Sequence, residues 1–175
     1  MQDSGHSTTA GTPDGWVLLV YRVPREPSTP RIAVWRRLRQ LGVAQVGDGV
    51  VALPADARTL EQLEWVADQV VEAGGRAGVW MSRPGSLAQE RDLAASMAAT
   101  RAAEYLELTT MIGELAGQAE PVRRRGLRRL RTQWRAIDRR DFFPPAEREL
   151  ARHALDELAA SVTDPQPVRA GREHR

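Results

Sequence analysis

The chain has 175 residues, 42% hydrophobic and 27% charged, which is ordinary for a globular protein that buries a core. It has no cysteine and only three histidines, which excludes disulfides and thiol catalysis and leaves no basis for a zinc–thiolate or histidine-rich metal site. No apolar run reaches the roughly 18–20 residues of a membrane span, and residues 1–15 lack the apolar stretch of a signal peptide. We therefore expect a cytoplasmic protein without a membrane partner.

Both ends of the chain are polar and rich in small residues. Residues 1–15 and residues 163–175 combine serine, threonine, glycine, proline and charged side chains, with few apolar residues to bury. Such segments cannot offset the entropy lost on ordering. The composition predicts a disordered lead over 1–15 and a disordered tail over 163–175.

Residues 16–85 alternate between strand and helix patterns. Short β-branched and aliphatic runs begin at Trp16, Val43, Val50 and Ala77, and Gly47-Asp48-Gly49 between the second and third run is typical of a hairpin turn. Amphipathic helices follow the first and third runs, the second with Thr59 as N-cap and Gln62 in the capping-box position. The order βαββαβ predicts an α+β, ferredoxin-like domain over 16–85.

Residues 86–162 carry only helical patterns. Apolar residues recur at three- and four-residue spacing over 87–117 and 121–140, with a weaker stripe over 145–161. This predicts an all-helical C-terminal segment. The five tryptophans fall mostly on apolar faces, so we expect most of them in the core rather than in binding platforms.

The segment 121–140 contains nine arginines and one acid, Asp138, and all 25 basic residues of the chain are arginine. At about 100° per residue, five of these arginines fall within a sector of roughly 80°. A planar guanidinium with five donors suits phosphate, so we expect DNA contact here. The predicted stripe is Arg124, Arg128, Arg131, Arg135 and Arg139.

A second basic set surrounds the first helix, and it either extends the same footprint or is an ordinary solvated face. Its candidate DNA-binding members are Arg31, Arg36 and Arg37, with Arg25 and Arg39 nearby. The alternative for the 121–140 stripe is likewise a solvated face, partly neutralised by acids of the preceding helix, Glu104, Glu107 and Glu114.

No catalytic constellation stands out. The carboxylates nearest the predicted sheet ends, Glu26, Asp48, Asp56 and Glu61, occupy turns or helix starts where acids are common, and His153 has no evident partner. We expect no enzymatic activity, no cofactor and no metal site.

Three blocks in the first half of the chain resemble the N-terminal domain of chromate-resistance regulators of the ChrB type. They are WVLLVYRVPREPSTPRIAVWRRLRQLG, DGVVALP and LEWVADQVVEAGGRAGVW, and the likeness extends to IDRRDFF at residues 137–143. The resemblance implies a DNA-binding regulator of chromate efflux genes, in a family that usually carries a second, chromate-associated domain. We expect that domain to be missing here, so that an oxyanion would dock only weakly, on arginines.

A more distant likeness is to phenylacetate-pathway repressors and to the small nuclease of CRISPR adaptation. Those nucleases end the first strand with a metal-binding aspartate, whereas this chain has Tyr21, Arg22 and Val23 there. Because magnesium needs oxygen ligands, a metal-dependent nuclease is the least favoured interpretation.

The favoured interpretation is a promoter-binding transcriptional regulator that forms a homodimer, because palindromic sites usually mirror a two-fold protein. The alternative is a protein-interaction module that pairs with a full-length regulator. The operator, the effector and the oligomeric state do not follow from the sequence.

Overall fold

A computed structural model describes residues 15–163, and these form an α+β structure. The predicted βαββαβ order followed by helices is confirmed. The expected disordered segments lie, apart from their innermost residues, outside the described residues. In chain order the elements are β1 (Trp16–Arg22), α1 (Ser28–Leu41), β2 (Ala44–Gly47), β3 (Val50–Pro54), α2 (Ala57–Glu72), β4 (Arg76–Ser82), α3 (Leu87–Ala116), α4 (Glu120–Asp138) and α5 (Ala146–Thr163).

The four strands form one antiparallel sheet in the order β2-β3-β1-β4. β1 is central, and its Leu18 lies opposite Ala52 of β3 and Trp80 of β4. The alternate residues Val17 and Leu19 are fully buried, as a strand in the middle of a sheet requires. This order leaves β2 and β4 as the two edges.

The predicted cap of α2 is wrong by three residues. The helix begins at Ala57, and its N-cap is Asp56, whose Oδ1 accepts a hydrogen bond of 2.6 Å from the Thr59 backbone N–H. The Thr59 hydroxyl accepts in return from the Asp56 N–H at 3.0 Å. Thr59 therefore fills the N3 position of a capping box, where a glutamate or glutamine is usual.

Two of the predicted glycine turns need a left-handed backbone. Gly42 ends α1 with φ 74°, and its N–H donates to the carbonyls of Leu38 and Arg39. Gly49 closes the β2–β3 hairpin with φ 70°, and its carbonyl accepts a hydrogen bond of 2.7 Å from the Tyr21 backbone N–H. Glycine adopts these angles without the penalty that a Cβ imposes.

The described chain divides into two units, each with its own core. The first comprises residues 15–99 and 140–143, and the second residues 100–139 and 144–163. The first core joins the sheet to α1, α2, Met97 and the half-buried Phe142 and Phe143. The predicted boundary between residues 85 and 86 stays a prediction. Among the described helices, none combines the length and apolar character that a membrane span needs.

Candidate nucleic-acid interface

One side of α4 is built to pack within the second unit. Its buried residues Leu127, Leu130 and Ile137 join a cluster with residues of α3 and α5, among them the fully buried Tyr105 and Ala151. Pro121 follows the first residue of the helix, a position where its missing N–H costs nothing. The apolar side thus fixes which way the rest of α4 faces.

All five arginines of the predicted stripe are exposed on the other side of α4 and at its C-cap. The set is Arg124, Arg128, Arg131, Arg135 and Arg139. The buried residues lie on an arc of about 80°, and the stripe lies on a separate arc at 3.6 residues per turn. From Arg124 to Arg139 the helical rise is about 22 Å, the length of roughly six base-pair steps.

Most of the stripe has no ion pair with any acid in the described part of the chain. Arg124 bonds Glu120 in the first turn of its own helix at 2.6 Å. Glu104 of α3 pairs with Arg101 on its own helix at 3.2 Å, and no ion pair joins Glu107 or Glu114 to α4. These three acids therefore form no ion pair with the stripe, and a solvated face remains the alternative to DNA contact.

Asp138, the one acid within 121–140, forms an ion pair with Arg148 of α5. Its Oδ1 accepts hydrogen bonds from Arg148 at 2.8 and 2.9 Å, and this hydrogen bond raises the pKa of Arg148 above its usual range. Two acids of α5 are similarly engaged with Arg152 of α5: Glu149 at 2.7 Å, whose pKa this contact lowers, and Asp156 at 3.4 Å. Apart from Arg124, the arginines of the α4 stripe therefore have no ion-pair partner among the described residues.

Two more arginines widen the exposed surface, and sequence reasoning missed them. Arg125 and Arg129 are exposed and form no ion pair among the described residues. With them the basic arc spans about 160° of the helix, estimated at 100° per residue. Arg123 behaves differently, because it turns back to donate to the carbonyls of Gln118 and Ser161 at 3.0 and 3.1 Å. The exposed basic surface is wider than the predicted sector, since solvent exposure depends on where α3 and α5 lie.

The basic residues of α1, in the first unit, do not share a face. Arg31 and Arg36 are exposed and Arg37 is half-buried, and the three lie about 100–140° apart around the helix. Arg39 instead stacks its guanidinium 4.9 Å above the ring of Trp35. The three predicted residues of this helix therefore project in different directions, and their contact with DNA stays a prediction.

The expectation that most tryptophans are buried in the core is wrong. Trp35, Trp65 and Trp80 are 55%, 61% and 62% exposed, whereas Trp16 is buried and Trp134 is half-buried. Each exposed ring has at least one apolar neighbour in the sequence, Val34, Val66, or Val79 and Met81, so the pattern alone predicted burial. Which side of each element is covered depends on tertiary packing.

The residues weighed for catalysis do not come together. Asp56 is a helix cap, and His153 lies 3.4 Å from Glu157 on the exposed side of α5. Among the described residues, no group of three or more histidine, aspartate or glutamate side chains could hold a metal ion.

The first unit also contains a cavity of about 460 Å³ beside Trp16, Leu18 and Leu93, and no arginine lines it. This cavity does not offer the charge that an oxyanion needs.

Comparison with known proteins points to one family. A family described as "Protein ChrB, N-terminal" matches residues 31–120, about half of the chain. Over 133 residues the chain is 29% identical to a protein named Protein ChrB from Cupriavidus metallidurans. The match covers 74% of this chain and 40% of that protein, so the chain corresponds to less than half of its relative. No solved structure matches.

Proposed function

The chain belongs to the family of the ChrB N-terminal domain, and we propose that it is a non-enzymatic regulator of chromate-resistance genes that binds promoter DNA through α4. The observation that carries the proposal is the row of exposed, unpaired arginines on that helix, Arg128, Arg131, Arg135 and Arg139. One guanidinium can donate two parallel hydrogen bonds to the oxygens of a phosphate, and such contacts supply the sequence-independent part of DNA affinity.

The charge distribution favours phosphate contact over a helix face that serves only solubility. The whole chain has a net charge of only +2, yet nine of its 25 basic residues lie within 121–140. Elsewhere in the second unit, Glu104, Asp138 and Glu149 are held by Arg101, Arg148 and Arg152, respectively. A solvated helix usually mixes both signs of charge, whereas a helix that faces a polyanion does not.

An oxyanion such as chromate would be a weak and unselective ligand of this chain. Exposed arginines attract it by charge alone, and sulfate, a divalent anion of the same shape, competes for them. We therefore assign to α4 the role of holding DNA and not that of sensing.

The proposal is tested by removing two stripe arginines that lie on adjacent turns. We expect Arg128→Ala/Arg131→Ala to weaken binding to every labelled duplex tried, measured by fluorescence anisotropy over a series of salt concentrations. The log–log dependence of affinity on salt should flatten by about two units, because each phosphate contact contributes about 0.9. Folding should be retained, since exposed arginines contribute within about 0.5 kcal/mol each.

The matched control is Arg83→Ala/Arg91→Ala, which removes the same charge from exposed positions of the first unit. This control should keep most of the affinity and the original salt dependence. Unchanged affinity in a folded Arg128→Ala/Arg131→Ala variant would leave α4 as a solvated face and favour a protein-interaction module. Equal losses in both double variants would show that only the net charge matters.

A further inference from the structure

The outer edge of β4 is an unprotected strand. β4 pairs with β1 along all seven residues from Arg76 to Ser82, and it is the last strand of the sheet. In the described part of the chain, no other backbone or side-chain group bonds to the backbone of its outer side. Native edge strands are usually blunted by inward charges, proline, bulges or short length. β4 is long and regular, and its one charged residue, Arg76, lies at its start.

The edge is also apolar on both of its faces. Trp80 shares the face of Leu18 and is 62% exposed, while Met81 shares the face of Val17 and is 63% exposed. These are two of the most exposed large apolar side chains of the first unit, and they are adjacent. An exposed apolar edge with unpaired backbone groups is the geometry that accepts an additional strand.

We propose that β4 pairs antiparallel with β4 of a second copy of this chain, with Val79 at the two-fold axis. Residues on opposite strands of such a pair have numbers that sum to 158, because the axis passes through residue 79. The pairing joins two four-stranded sheets into one continuous sheet of eight strands. A closed two-fold contact of this kind uses the same patch on both copies.

The strand is complementary to itself in this register. The two large side chains each meet a small residue, since Trp80 lies opposite Gly78 and Met81 opposite Ala77. Arg76 lies opposite Ser82, so no like charges face each other. The large and the small residues of this alternation both lie on β4, on opposite sides of Val79. A second copy of β4 therefore supplies the complementary strand, which is why we commit to a second copy.

The Trp80 indole leans along its own strand. A Cβ on Gly78 would lie 3.1 Å from the Trp80 Nε1, so each indole lies over the glycine of its own strand. Gly78 of one copy faces Trp80 of the other, so the two indoles become neighbours across the axis. Each then covers apolar surface of the other, and aromatic contacts across strands stabilise such pairs.

The inference concerns β4 alone and does not depend on DNA binding. We expect the full chain to sediment as a dimer at high concentration and to dissociate on dilution. Trp80→Lys should raise the dimer dissociation constant about tenfold or more, because two indoles and their packing are lost and two ammonium groups approach each other. The matched control is Trp65→Lys, where the ring is 61% exposed on helix α2 and is not part of the β4 strand.

The register is tested by single cysteines, which this cysteine-free chain allows without background. Val79→Cys should form a disulfide-linked dimer on mild oxidation, because the two residues face each other across the axis. Val46→Cys, on the opposite edge strand and 53% exposed, should remain monomeric on a non-reducing gel.

A chain that stays monomeric at all concentrations would overturn the proposal. So would equal weakening by Trp80→Lys and Trp65→Lys, or cross-linking of Val46→Cys in preference to Val79→Cys. DNA affinity is not measured in these experiments, so their outcome is separate from the test of the α4 arginines.

Discussion

Thr59 illustrates how much one polar side chain can do when it is fully buried. Its hydroxyl donates to the Pro54 carbonyl at 2.6 Å and accepts from the Asp56 N–H at 3.0 Å. It thereby connects the end of β3 to the start of α2. A buried donor or acceptor that loses its partner costs more than the hydrogen bond itself contributed.

We therefore expect Thr59→Ala to lower the free energy of unfolding of the first unit by about 1–3 kcal/mol, because it leaves the Pro54 carbonyl and the Asp56 N–H unbonded. Thr29→Ala, in the exposed first turn of α1, is the control and should change stability by about 0.5 kcal/mol or less. Urea denaturation followed by circular dichroism measures both. A stability loss in Thr59→Ala no larger than in the control would contradict the capping role.

At the scale of whole helices, the second unit depends on a close approach between α3 and α4. Gly126 of α4 faces Leu115 of α3, and a Cβ at position 126 would lie 2.8 Å from Leu115 Cδ1 and 3.1 Å from its Cγ. Gly113 of α3 has nothing within 4 Å of the equivalent position. Both glycines lie within helices, where alanine is otherwise preferred.

The two glycines should therefore respond in opposite directions. Gly113→Ala should stabilise the protein by about 0.5–1 kcal/mol, because alanine reduces the entropy that the helix loses on folding. Gly126→Ala should destabilise it by about 1 kcal/mol, since overpacking outweighs that gain. Thermal unfolding of each variant measures the difference.

A third variant separates packing from helix propensity. In a Leu115→Ala background, Gly126→Ala should no longer be destabilising, because the added methyl group then has space. If Gly126→Ala stabilised the original protein as much as Gly113→Ala does, α3 and α4 would not approach as closely as the contact with Leu115 indicates.

At the scale of the whole molecule, the end of β1 bears on the enzymatic alternative. The strand ends in Tyr21 and Arg22 without a carboxylate, and burial raises the pKa of the Tyr21 phenol. A phenol is protonated at neutral pH even at its ordinary pKa, and burial shifts it further that way, so it offers no anionic oxygen to a divalent cation.

We expect no cleavage when the full chain is incubated with duplex or single-stranded DNA and magnesium or manganese, as measured on denaturing gels. The control for a contaminating nuclease is the Tyr21→Phe variant purified in parallel. Any trace cleavage should be equal in both preparations. Cleavage that disappears in a folded variant of this chain would mean that the chain is a nuclease after all.

Much of the architecture was readable from the sequence because it depends on local chemistry. The β-branched run from Trp16, the glycine at position 42 and the helical spacing of Leu127 and Leu130 each favour one backbone conformation regardless of what lies nearby. The arginine density of 121–140 is likewise a property of the sequence, and it indicated the stripe that the structure exposes.

Tertiary structure decided what surrounds each of these elements. Trp80 is exposed only because β4 is the last strand of the sheet, and Asp138 is neutralised only because α5 brings Arg148 within 2.8 Å. Arg125 and Arg129 belong to the basic surface because α3 and α5 cover the opposite side of α4. Periodicity tells which residues share a face, but which face is covered depends on contacts between residues distant in the chain, and no local pattern encodes those contacts.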